Sequence, residues 1–402
     1  MNPSGRRVLV VHSYYSSATP SGENAMVDAE VAALRRAGHD VGLVARHTDT
    51  LARSRAHPLR AAAATATGFG PGALAEAADH DLVHVHNLFP NFGRRWLAHL
   101  RVPFVVTLHN YRPLCAAASL YRDGRVCTDC LGGPLPGLAH GCYRGSRAAT
   151  LPLTVGRRGV RREVLDRAAR LIVLSPTQRE LYARAGIPAE RLVEVPNFVP
   201  DALDPGAGPG GEGWVFAGRL DEQKGADALV AAWPADIPLT VVGGGRSERE
   251  VRELARGKQI TLAGHLPREE VVALLRAARG LVFPSRWPDP FGLVYAEALA
   301  AGTPVLATEP AAAAGFVRRD GTGTAVARLT EAAVREAHER FPGLRVRSRA
   351  VFEQRYTERA HVAALDRVYA EAVAAPRTRA VDGGRRPDRA PGAQPHDPGS
   401  TP

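Results

Sequence analysis

Short runs of branched apolar residues recur along this chain, each followed by a stretch with helical spacing. That alternation constrains the fold more than any other feature. In the first half, VLVVH (8–12), DVGLVA (40–45), DLVHVHN (81–87), VPFVVTLHN (102–110) and RLIVLSP (170–176) read as strands. Strand signals restart with WVFAGR (214–219), LTVVGGG (239–245), ITLAGH (260–265), GLVFPS (280–285) and TPVLAT (303–308). Strands that alternate with helices predict parallel sheets, because a parallel neighbour needs a crossover. The first crossover helix is expected from about Ala25 to Ala37, with Gly38 closing it. PNFVPDALDPGAGPGGEG (196–213) separates the halves and reads as a linker. A last amphipathic helix is expected over 351–373, and the Pro-, Gly- and Arg-rich tail from Pro376 is expected to be disordered. With 402 residues, two such α/β domains fit, and their ligand is expected in the cleft at the carboxyl ends of the strands.

PDPFGLVYAEALAAGTPVLAT (288–308) carries the first chemical signal. Asp289 suits an N-cap and Pro290 a first helical residue, so a helix is expected through Glu297 to about Ala301. At 1.5 Å per residue the two carboxylates stand about 10 Å apart along the axis. They cannot grip one atom, but they can hold the two ends of one extended ligand. Between them, free N–H groups of the helix start and the side-chain-free Gly292 suit phosphate. A nucleotide sugar has this shape: hydroxyls at both ends and a diphosphate between. A hydrolase pair would stand about 5–9.5 Å apart, which disfavours that chemistry.

GRLDEQKG (218–225) adds two cations, Arg219 and Lys224, after a strand. Only Lys224 and Lys258 are lysines among 52 basic residues, and a compact ammonium is suited to phosphate. The net charge of +11 favours anionic ligands.

GRLDEQKG together with DPFGLVYAEALAAGTPVLA resembles the donor domain of retaining glycosyltransferases of the GT-B fold, glycosyltransferase family 4, which carries an E-x7-E motif. The resemblance covers most of residues 6–375. It implies two Rossmann-like, doubly wound domains facing across a cleft: an acceptor-side domain over 1–200 with a Cys-rich insertion at 112–145, and a donor domain over 201–350. A C-terminal helix (351–375) would return to the first domain, and 376–402 would be the tail. The implied activity is a retaining hexosyltransferase that moves sugar from a nucleotide sugar, its co-substrate, to a hydroxyl acceptor without a catalytic divalent metal. The acceptor classes are a polysaccharide precursor, a lipid-linked precursor or a small metabolite.

The resemblance also implies residue roles. Glu297 would bind the nucleotide ribose. Asp289, in place of the first Glu and one methylene shorter, would hold hydroxyls of the transferred sugar. Arg219 and Lys224 would bind the phosphates, and the turn Phe291–Gly292–Leu293 would cradle them. Gly264 and His265 would lie by the base. Gly22, followed by Glu23, matches a glycine loop facing the donor, and His109 matches a cleft histidine that touches the sugar. His84 and His86 alternate with Val83 and Val85 and read as covered strand residues. The segment DHD (79–81) precedes its strand and so lies away from the cleft.

The four cysteines follow Cys115-x11-Cys127-x2-Cys130-x11-Cys142. Four thiolates at such spacing suit a structural tetrahedral zinc; an iron–sulfur cluster, two disulfides and unligated thiols are the alternatives. A rival class for the whole chain is a basic zinc-knuckle nucleic-acid-binding protein, but aromatics are only 6% and no basic stripe interleaves with them, so nucleic acid is not an expected partner. No apolar run reaches the roughly 18 residues of a membrane span. A cytoplasmic location is expected, and GRRGVRREVLDRAAR (156–170) is a candidate for peripheral contact with the inner face of the membrane.

Overall fold

The computed structural model describes residues 5–17, 22–201 and 210–375. The middle of the expected linker, 202–209, and the expected tail, 376–402, lie outside the described residues.

Fourteen strands follow one another along the described chain: β1 Arg7–Tyr14, β2 Asp40–His47, β3 Leu82–Asn87, β4 Phe104–Thr107, β5 Tyr121–Arg122, β6 Arg125–Val126, β7 Arg170–Val173, β8 Leu192–Glu194, β9 Trp214–Ala217, β10 Leu239–Val242, β11 Ile260–Gly264, β12 Gly280–Phe283, β13 Val305–Thr308 and β14 Gly323–Val326. The first six-stranded sheet has the order β2-β1-β3-β4-β7-β8 and the second β11-β10-β9-β12-β13-β14. All pairings within both are parallel. Only β5 and β6 pair antiparallel, as a small hairpin inside the Cys-rich segment. The strand order reverses between β1 and β3 in one sheet and between β9 and β12 in the other. Loops leaving such neighbours diverge and open a crevice at their carboxyl ends.

Both faces of each sheet are covered. In the first domain, Val83, Val85, Val106 and Leu171 face one core, while Val8, Val10, Val105 and Ile172 face the other. Alternate strand residues point to opposite faces, so continuous apolar runs are what a sheet buried on both sides requires. The second core also takes Val362, Leu365, Val368 and Tyr369 from the helix Glu358–Ala374. The end of the chain therefore crosses from the second domain to cover the first sheet.

Three local expectations are corrected. The late helix is two helices, Arg345–Arg355 and Glu358–Ala374. Thr357 breaks them: it is extended, and its hydroxyl accepts from the Ala360 N–H at 3.3 Å as an N-cap. Strands β8 and β14 were not anticipated; they are short and lack a long apolar run. The helix after β12 spans Leu293–Ala300, so it starts after Gly292 rather than at Asp289.

Leu365 is fully buried beneath the first sheet, whereas Val373 on the same helix is 47% exposed. Leu365→Ala should cost about 2–5 kcal/mol of stability, and Val373→Ala well under about 1 kcal/mol, in urea unfolding of the purified chain.

Candidate active site

The loops leaving β9 and β12 build the centre of the cleft. After β9, the Gly218 N–H donates to the Val242 carbonyl at 3.0 Å, and the Leu220 N–H to the Gly244 carbonyl at 3.0 Å. These bonds draw the loop against the one that follows β10. Gly243 has φ 124, and a Cβ there would lie 1.9 Å from the Gly218 oxygen, so no other residue fits. Asp221 then folds the loop back: its Oδ1 accepts from the Lys224 N–H at 3.0 Å, and its Oδ2 lies 3.1 Å from Arg219 Nη2.

Lys224 is thereby aimed across the crevice. Its Nζ lies 3.7 Å from Asp289 Oδ2 and over the rings of Phe283 and Trp287, at 5.4 and 5.5 Å. Asp289 is buried. Its Oδ1 accepts from the Ala312 N–H at 3.3 Å, while Oδ2 makes no hydrogen bond. Burial pushes its carboxyl up, and the Lys224 ammonium opposes that shift. So Asp289 is not a helix cap but a loop carboxylate tied to the next helix, Ala312–Asp320. Gly292 follows at φ 85, and a Cβ there would meet the Phe283 ring at 2.6 Å. Phe291 anchors the turn in the core against Phe316 and Tyr356.

Glu297 stands one turn into the helix. Its Oε1 accepts from Arg268 Nε at 2.9 Å; burial raises its carboxyl and Arg268 opposes this. Arg219, Gly243, His265, Arg268 and Glu297 line one open cavity of about 360 Å³. Gly264 ends β11, and the His265 ring lies against Gly244. The structure thus gathers the predicted residues into two adjoining clusters: Lys224, Asp289 and Gly292 at the switch point, and Arg219, His265 and Glu297 beside it.

From the first domain, Gly22 opens the helix Gly22–Arg36 and faces Leu293, whose Cδ1 lies 3.3 Å from where a Gly22 Cβ would be. Both halves therefore meet at the Leu293 helix start. Glu23 Oε2 accepts from Asn110 Nδ2 at 3.0 Å, and its Oε1 is buried without a partner. Glu23 as a residue is half-buried, but its carboxyl lies deep, and burial pushes it up to about 7 against Asn110 and Arg112. His109 follows β4, half-buried, with Nε2 2.8 Å from His86 Nδ1. Burial, then the neighbouring His86, keeps its imidazole well below the usual range, so it is neutral.

Sequence reasoning missed Glu30, a buried acid, and its link to His361; His84 and His86 are covered as expected. The signal was available: Glu30 lies among Met26, Val27, Val31 and Leu34, all on the buried face of the helix Gly22–Arg36. Glu30, His84 and His86 are the only set of three or more such side chains, among the described residues, whose ligating atoms lie within 4.8 Å of one another. The four cysteines form no such set, and all are free thiols. The expected four-thiolate zinc cage is therefore not assembled. Burial holds the Cys130 thiol up at about 11, with Cys115 adding to the shift, so it packs as a small protonated group. Arg157 pins the segment instead, donating to the carbonyls of Leu114 and Cys130 at 2.7 and 2.9 Å. Arg161 is likewise bound to the Ala185 and Gly186 carbonyls, so part of the arginine run serves the fold. The hairpin β5–β6 reaches the donor loop, where the Tyr121 hydroxyl donates to Glu222 Oε1 at 3.2 Å. No helix among the described residues is long and apolar enough to cross a membrane.

Residues 20–203 match the family described as Glycosyltransferase Family 4, and residues 209–342 match Glycosyl transferases group 1. D-inositol 3-phosphate glycosyltransferase of Pseudarthrobacter chlorophenolicus is 33% identical over 171 residues, 36% of this chain and 40% of that protein. The matched stretches span only 24% to 58% of the length of the curated relatives. Sucrose-phosphate synthase from Thermosynechococcus elongatus superposes with a TM-score of 0.61 at 18% identity, over 91% of this chain and 98% of that one. Anabaena HepE in complex with UDP gives 0.58 at 15% identity, over 90% and 100%. These likenesses establish the GT-B fold.

Glu23 generates a pH test. Its carboxyl titrates near 7 when folded against an ordinary value of 4.5, so the folded state holds the extra proton between these limits. Stability should fall as pH rises through that window and level off above it. Glu23→Gln should remove this part of the slope in urea midpoints measured from about pH 4.5 to pH 8.

Proposed function

The chain belongs to the glycosyltransferases, its two halves a family 4 domain and a group 1 domain in the GT-B fold, and from that premise we propose that it transfers a sugar from a nucleotide-sugar donor to a hydroxyl acceptor with retention of configuration. The observation that carries this reading is Asp289 Oδ2: a buried carboxylate oxygen without a hydrogen bond, 3.7 Å from an ammonium and beside a helix start. Beyond its ion pair with Lys224, this oxygen keeps an unused hydrogen-bond site, and a buried acceptor left so is costly unless a ligand completes it. A sugar hydroxyl donating to Oδ2 does so.

The donor diphosphate lies between Lys224 and the N–H groups after Gly292, with Arg219 at its open side. The helix dipole and both cations stabilise the charge that develops as it departs. Glu297 takes the ribose hydroxyls in place of its bond to Arg268, and His265 flanks the base. The acceptor hydroxyl enters from the first domain, near His109. Its oxygen forms the new bond to the anomeric carbon on the face that the diphosphate leaves. The carbon–phosphate oxygen bond breaks, and the acceptor proton passes to the departing phosphate oxygen. HepE, whose structure holds UDP, supports a nucleotide donor. In this reading Lys224 and Arg219 neutralise the diphosphate charge.

The test is a panel of UDP-, GDP- and dTDP-sugars with the purified chain, following release of nucleoside diphosphate and the anomer of the product. One donor class should turn over, and the product should keep the donor's anomeric configuration. Lys224→Ala and Glu297→Ala should each lower kcat/KM by about 100-fold or more while the chain stays folded by circular dichroism. Full activity in either variant would remove the role given to that residue.

A further inference from the structure

One face of the first sheet buries a polar network that donor binding does not use. Glu30, His84, His86, Thr107 and His361 are each at most 5% exposed, and Tyr369 is fully buried. Seven links define it. His361 Nδ1 lies 2.8 Å from the Pro196 carbonyl, and His361 Nε2 lies 2.9 Å from Glu30 Oε2. His84 spans Tyr369 Oη and Thr107 Oγ1, both at 2.8 Å. Glu30 Oε1 stands 3.2 Å from both His84 Nδ1 and His86 Nε2, contacts of charge rather than hydrogen bonds. His86 Nδ1 then meets His109 Nε2 at 2.8 Å.

The partners fix the protons. A carbonyl only accepts, so His361 Nδ1 carries a hydrogen. His361 Nε2 faces a carboxylate and carries one as well, which makes His361 the cation paired with Glu30. His86 Nε2 lies 3.2 Å from that carboxylate outside hydrogen-bond geometry, and the negative charge so close by favours a hydrogen on it. A second imidazolium beside a single, already paired carboxylate would leave net positive charge in the core, at a cost of several kcal/mol. His86 is therefore neutral, and its Nδ1 is a lone pair. The hydrogen between the two rings then belongs to His109 Nε2. That leaves His109 Nδ1 bare, with no hydrogen bond to the described residues.

We infer that Glu30 and His86 are positioning residues that lock His109 in its Nε2–H tautomer, so that it offers Nδ1 as a fixed hydrogen-bond acceptor to a hydroxyl of the bound sugar or of the acceptor. This rests on the placement of His109 at the cleft proposed above. The arrangement follows a general rule: an imidazole that must present one nitrogen is oriented through the other. The same network ties His109 to the polypeptide crossings between domains, since Pro196 lies where the chain leaves the first domain and His361 where it returns.

The test compares His86→Asn, His86→Leu and His109→Ala. The Asn Oδ1 takes the place of His86 Nδ1 and still accepts from His109; the Leu side chain offers nothing. His86→Leu should lower kcat by about 10–100-fold with donor KM within about threefold, and His86→Asn should stay within about fivefold of the parent. Nitrogen-15 shifts of labelled histidine should show His109 with a bare Nδ1 in the parent and in His86→Asn, and a mixture of tautomers in His86→Leu. An unchanged tautomer and kcat in His86→Leu, or equal losses in both variants, overturns the inference. So does stoichiometric metal in the purified chain by elemental analysis, because a cation would take the nitrogens assigned hydrogens here. If His86→Leu does not fold, His86→Gln replaces it, with its amide reaching toward Nε2 instead of Nδ1. His109→Ala separates the two readings: no loss of kcat there sinks the cleft role of His109, while the tautomer shifts still judge the network.

Discussion

An ammonium and a buried carboxylate facing each other across the reversal in strand order set the architecture of the cleft. Lys224 comes from the loop after β9 and Asp289 from the loop after β12, and these two strands are the neighbours whose connections diverge. Bringing both charges out of water is unfavourable unless the geometry repays it. Repayment is incomplete, because Asp289 keeps an oxygen without a hydrogen bond. The two loops are therefore held in register around that carboxylate oxygen. Everything nearby serves that register: Asp221 bends the first loop, Phe291 anchors the second, and Gly243 admits the backbone contact that draws the β9 and β10 loops together.

The two domains are joined by more than their linker. The helix Arg345–Arg355 packs into the second domain's core, and the next, Glu358–Ala374, lies on the first domain from its first residue, where Leu365 and Tyr369 are fully buried. Gly22 of the first domain lies against Leu293 at the start of the helix Leu293–Ala300. Hence that helix start, the helix Gly22–Arg36 and the acid at its centre, Glu30, are mechanically continuous. A change in the angle between domains must pass through these contacts.

How much of this was legible in the sequence depended on range. Strands with continuous branched runs could be read directly, because burial on both faces demands that composition. β14, with the sequence GTAV, carries too little apolar signal and exists because β13 pairs with it. Asp289 looked like a helix cap because Asp-Pro commonly is one; the positive φ of Gly292 moves the true start three residues on. The clustering of Arg219, Lys224, Asp289 and Glu297 was legible because motif spacing encodes it. The network around Glu30 was not: its partners lie 54, 56 and 331 positions away, and no local pattern announces them. The cysteine spacing suggested a cage, but no three of the sulfurs lie within 4.8 Å of one another.

The hairpin β5–β6 has a consequence for how the molecule is read from outside. Tyr121 bonds to Glu222, and Glu222 sits between Arg219 and Lys224 in the loop proposed to meet the donor phosphates. A single phenol thus straddles the cleft from one lip to the other. Moving the loop that carries Glu222 must either break that bond or carry the Cys-rich segment with it.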